Sequence, residues 1–304
     1  MGKTKIKEKK PFEFTKKSII ALIFVSIAGI MTGIFVGGFF LGGPQVDYSQ
    51  YSEAELRDAN VASLSQTAEG KLPTSFKSFE VFEIAEYRLF THGSVYIYGT
   101  GKIDTIASQD ILSIKAYENG MYYKESISKG LKSVGERDYF QEGQASVDYH
   151  TASGITDKLT ADWSVKKSKT LEEFSTDNGV PVNAFTPYIV SEKTLAVDYK
   201  DGGVKEIKLE NGQTAYEFTL ELDPIFSVLN YVKQMRNISQ LSSYPVFDSI
   251  KLTCVVDASF KFLTIDTVEK YSVNYMGINA ACTGTLFEIF EYGKENVIPV
   301  TVPK

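Results

Sequence analysis

The chain of 304 residues is 43% hydrophobic and 23% charged, enough apolar material for a sizeable core, which excludes wholesale disorder. Its net charge of −6 argues against nucleic acid as a partner, because phosphate contacts need a basic surface. Two histidines and two cysteines are too few for a thiolate/imidazole zinc site or a disulfide-stapled small fold, and nothing in the composition calls for a cofactor.

Charge is unevenly distributed. Residues 1–17 carry seven lysines against Glu8 and Glu13, a net of +5, whereas Pro44–Lys304 holds 25 basic and 36 acidic residues. Between them, Ser18–Gly43 is 26 residues without a charge, and its apolar core Ile19–Leu41 would span roughly 35 Å as a helix, enough to cross a bilayer. The run is too long for a cleaved signal peptide, and Pro44 after Gly42-Gly43 is a poor residue to follow a cut. The expectation is an uncleaved signal anchor: a basic cytoplasmic tail (1–17), a transmembrane helix (18–43), and a plasma-membrane protein whose remaining residues are extracytoplasmic. Gly29, Gly33 and Gly37 recur every four residues along that helix. They make a candidate packing stripe for a homodimer or for another transmembrane subunit.

Ser52-Glu53-Ala54-Glu55 is a capping box predicted to open a helix through about Leu64. Residues 66–75, with Gly70 and Pro73, read as a linker. Residues 44–74 are therefore a juxtamembrane stalk with a short helix or, equally, a helix packed on the domain formed by 75–304. In that domain Ser78 is expected to cap a helix over Phe79–Phe90. Val95, Ile97 and Ile103 alternate with Tyr96, Tyr98, Lys102 and Asp104, the period of a half-buried strand. Asp110–Glu118 and Met121–Ser128 flank Asn119-Gly120, a strong hairpin signal. Further strands are predicted at Arg137–Gln141, Ala145–Thr151 and Thr160–Lys166.

Thr170-Leu171-Glu172-Glu173 is a second capping box, with Gly179 suited to end its helix. Strands resume at Thr194–Lys200, Val204–Glu210 and, after Asn211-Gly212, through Tyr216, Phe218, Leu220 and Leu222. Asp223-Pro224 predicts a helix start running to about Ile238. Ile250–Asp257, Lys261–Met276 and Ala281–Tyr292 close the domain, with an edge strand at Val297–Val302. Such a series predicts an α+β fold: after the transmembrane helix, a large, curved, mostly antiparallel sheet with two main helices on one face. In a simple meander Cys254 levels with about residue 263 and Cys282 with about residue 274 of the middle strand. They are then roughly 35 Å apart and unpaired.

Catalysis finds little support. Neither His92 nor His150 lies in a metal motif, and no nucleophile or phosphate loop stands out. The 18 tyrosines and 20 phenylalanines read as cross-strand pairs or as the lining of a groove for an apolar or carbohydrate ligand. The order helix, antiparallel strands, capped helix at 170–178, Tyr188-Ile189-Val190, second helix and strands, over about residues 75–292, resembles the half-barrel carrier superfamily of LolA-type and mycobacterial LprG/LppX-type lipoproteins. That resemblance implies helices across a half-barrel's open side and an apolar cavity for acyl chains. From the apolar stripes, the candidate lining is Phe82, Leu89, Tyr216, Phe218, Leu229 and Val232. The functional expectation is a non-enzymatic, membrane-anchored domain of the bacterial cell envelope that binds a lipid-like or other apolar ligand. The alternative is a structural or docking subunit of a membrane complex.

Overall fold

A computed structural model describes residues 46–105, 108–130, 132–155, 158–159, 165–178, 184–239, 243–275 and 278–298. The predicted tail, the transmembrane helix and its Gly29, Gly33 and Gly37 lie outside the described residues, as do Trp163 and Gly179. Among those described, no helix is long and apolar enough to cross a membrane.

One large, curved, wholly antiparallel sheet dominates, consistent with a half-barrel. Its first meander is β1 (Ser94–Asp104), β2 (Gln109–Glu118), β3 (Met121–Lys129), β4 (Lys132–Gln141) and β5 (Ser146–Ile155). Short β6 (Lys158–Leu159) and β7 (Val165–Thr170) share the outer edge of β5. The second meander is β8 (Lys205–Lys208), β9 (Thr214–Leu222), β10 (Val246–Val256), β11 (Phe262–Tyr275) and β12 (Ile278–Tyr292). The two halves join where β12 pairs with β1 from Val95↔Tyr292 to Asp104↔Thr283. The β2–β3 turn forms as its sequence dictates: Asn119 and Gly120 both take positive φ, 52° and 78°, the geometry that matches strand twist in a two-residue hairpin.

Alternation along the strands sorts residues onto two faces. The inner face carries Val95, Ile97, Phe218, Leu220, Leu252 and Phe290 and is covered by α3 (Ser78–Arg88) and α5 (Leu229–Ser239). Phe82 of α3 meets Phe262 edge-on at 5.2 Å, and Phe185 meets both Phe262 and Phe290. The outer face bears a smaller cluster of Ala116, Tyr123 and Tyr139 under Val297 and Ile298. Backbone N–H groups of Asn296 and Val297 hold that segment by donating to Glu118.

Local caps behave as their chemistry requires. Thr170 and Glu173 exchange both capping bonds at the start of α4 (Leu171–Asn178): the Glu173 N–H donates to Thr170 Oγ1 at 3.1 Å, and the Thr170 N–H to Glu173 Oε2 at 2.8 Å. Tertiary partners redraw other expectations. The helix expected from Ser52 to Leu64 is two helices, α1 (Glu53–Leu56) and α2 (Val61–Thr67). Arg57 is extended between them, and the Asn60 N–H turns back to Asp58 Oδ1 at 2.8 Å. Tyr48, Leu56 and Ala68 sit in the main core, so this stretch packs on the domain.

α3 begins one residue earlier than expected: Lys77 is its N-cap, and the Ser78 hydroxyl is drawn to Asp201 instead. Residues 194–200 are not a strand. Only Leu195 bridges Leu222, and Ser191 caps a short 3₁₀ turn there. Asp223 does accept from the N–H groups of Ile225 and Phe226, yet α5 starts at Leu229. The Ser227 carbonyl accepts from Ile189, outside the helix, which delays the first regular turn. Val297 and Ile298 are not in a strand.

Candidate ligand cavity

Between the inner face and the helices lies a cavity of about 120 Å³. Phe82, Tyr231 and Gln234 come from the helices, Ala184–Tyr188 from the connection before α5, and the rest from the sheet. Phe82, Ile103, Ile111, Leu252, Ile265 and Leu286 make it apolar on several sides. Its floor is not apolar. Lys115 stands directly opposite Lys124 across β2–β3, and two pairs along, on the same face, Ser113 stands opposite Ser126; all four reach the cavity. Two ammonium groups on one rung repel each other, so each needs another partner.

Lys115 has one: its Nζ lies 2.8 Å from Glu288 Oε1, over the Phe185 ring. Gly99 leaves room for that pair, since a Cβ there would sit 3.1 Å from Glu288 Cγ. Lys124 forms no ion pair among the described residues. Burial and then the neighbouring Lys115 lower its pKa, against the pull of Asp138, Glu136 and Glu288. Asp138 faces Lys124 on β4 but hydrogen-bonds Glu136, and burial raises both carboxyls. Across the cavity, Glu269 accepts from Tyr188 at 2.6 Å and from Tyr231 at 3.3 Å. Burial pushes its carboxyl up to about 7, although both tyrosine hydroxyls favour the ionised form.

Of the residues expected to line a cavity, Phe82 does so. Leu89, Tyr216, Phe218, Leu229 and Val232 share its hydrophobic core but pack elsewhere within it, each at most 3% exposed. Lys115, Lys124, Glu269 and Glu288, which no sequence motif marks, join Phe82 there. A usable signal existed: Glu269 and Glu288 occupy the same strand parity as inward Ile265, Tyr271 and Phe290. The histidines lie elsewhere: His92 stands edge-on to Tyr292 and His150 to Tyr139. Among the described residues no three His, Cys, Asp or Glu side chains are grouped to hold a metal ion.

An antiparallel sheet curving round a small cavity beneath helices defines a half-barrel-like domain. No family model and no curated protein matches the chain. Among solved structures it is similar to a LolA superfamily protein from Nitrosomonas europaea, at 9% identity over 74% of this chain and 96% of that one, with a TM-score of 0.20. So loose a superposition carries no functional argument.

Proposed function

We propose that the chain is a non-enzymatic, single-pass membrane-anchored domain on the extracytoplasmic side of a bacterial envelope, and that it binds a lipid-like amphipathic ligand. The supporting observation is the cavity: apolar walls converge on a rung of two lysines, one of them without an ion pair among the described residues. An apolar tail would lie against Phe82, Ile111 and Leu286, its polar end on Lys124, Ser113 and Ser126. A cavity of about 120 Å³ is smaller than one of about 150 Å³ that accommodates benzene, so as it stands it suits a short chain. A two-chain lipid would require α3 or α5 to move outward. The lysine-rich head and the uncharged run 18–43 support the anchor and its orientation.

The rival reading, a docking subunit, draws on the outer face. There Tyr98 and Ile289, 40% and 41% exposed, stand opposite each other beside exposed Phe287. Native mass spectrometry after detergent removal separates the two. A retained amphiphile on both the full chain and residues 44–304, which keep the packed α1–α2 stretch, lost in Lys124→Glu, supports the cavity reading. Retention by the full chain alone assigns the lipid to the anchor and favours the rival.

A further inference from the structure

A second hollow, of about 180 Å³, lies where α3 meets the α1–α2 connection, lined by Arg57, Asp58, Glu83, Glu86 and Tyr87 with Val61 and Val190. Glu83, Glu86 and Tyr87 are three and four residues apart, so one face of α3 presents them together. Arg57 is already engaged: its Nε donates to Glu53 Oε1 at 2.5 Å, and its Nη1 lies 3.5 Å from Glu86 Oε2. Glu83 is 4% exposed, and its Oε2 has no hydrogen-bond partner among the described residues. A buried carboxyl oxygen facing a hollow without a partner is the arrangement folding normally avoids.

We propose that this hollow is a binding site for a small organic cation, a primary ammonium on a short apolar stem, held by Glu83, Glu86 and Asp58. An ammonium carries three donors, matching three carboxyl groups. Val61 and Val190 suit a hydrocarbon stem, and Tyr87, 51% exposed at the rim, offers a ring face to the charge. A bare metal ion fits less well, because the acidic groups are not clustered as a metal requires and the walls are partly apolar. The electrostatics agree. Burial, then Asp58, Glu86 and Glu80, push Glu83 up to about 8 against the pull of Arg57, and burial raises Glu86 as well. A cation entering this field favours the ionised carboxyls and expels protons.

The test is calorimetric titration of the full chain in lipid nanodiscs with n-propylammonium chloride at neutral pH. Buffers of different ionisation enthalpy report proton release, with sodium and magnesium chloride as controls at matched ionic strength. The expected result is saturable binding with proton release, weakened roughly tenfold or more in Glu83→Gln. Should that variant fail to fold, half-buried Asp58→Asn carries the same comparison. No saturable binding, equal affinity in the variants, saturation without proton release, or a response to magnesium alone overturns the proposal.

Discussion

Gly284 on β12 stands directly opposite Glu269 on β11, and a Cβ on it would fall 2.8 Å from Glu269 Oε1. Glu269 cannot swing aside freely, because two buried tyrosines hold its carboxyl. Gly284→Ala should therefore cost about 2 kcal/mol of stability, as other insertions into packed interiors do. Urea unfolding measures it; an unshifted midpoint would show that the network yields.

Stability should fall between acidic and mildly alkaline pH. Glu269 and Glu83 have an ordinary value of 4.5 and are raised in the folded chain to about 7 and about 8. The folded state thus keeps protons that the unfolded chain has released. This stabilisation is complete below about 4.5 and is lost as pH rises through 7 to 8. Carboxylates shifted the other way, such as Asp201, act in a more acidic range. Glu269→Gln should flatten the decline in denaturation midpoint between these pH values. A slope identical to the parent's would refute the assignment.

The two cavity lysines should respond unequally. Lys115→Met strands a buried Glu288, 5% exposed, and should cost about 3 kcal/mol, whereas converting both partners to apolar residues recovers most of it. Lys124→Met strands no ion-pair partner among the described residues; it gives up the attraction of Asp138 but also removes the cost of burying an ammonium beside Lys115, so it should cost less than Lys115→Met. Equal losses in the two single variants would contradict the pairing.

Cys254 faces Ile265 and Cys282 faces Tyr271, six residues apart along β11, or roughly 20 Å. That is nearer than the 35 Å of a simple meander but far beyond disulfide reach. Both are free and buried, and burial pushes the Cys282 thiol up to about 11 and holds Cys254 well above the ordinary thiol range. Iodoacetamide should leave the native chain untouched and label both cysteines after denaturation. Rapid labelling of the native chain would mean the sheet opens here.

For the proposed anchor, protease added to spheroplasts should remove the region after Pro44 and spare an N-terminal tag. Gly33→Leu should weaken crosslinked association without blocking insertion. Protection of the C-terminal domain would reverse the topology.

Features set by neighbours a few residues apart were determined by the sequence alone. The Asn119-Gly120 turn, the Thr170–Glu173 cap and the alternation through Tyr216–Leu222 depend on local dihedrals and short-range hydrogen bonds, and each formed as read. Only the tertiary structure decided which strands meet. Pairing β1 with β12 joins residues nearly 200 positions apart, and period-two alternation is the same whichever strand lies alongside. The tertiary structure likewise ended the Ser52 helix at Leu56 and turned residues 194–200 from strand to loop, since partners distant in sequence claimed their hydrogen bonds. The cavity's polar floor belongs to the same class. A lysine in a strand reads as surface until its neighbours turn that face inward, and only then does Lys115 find Glu288.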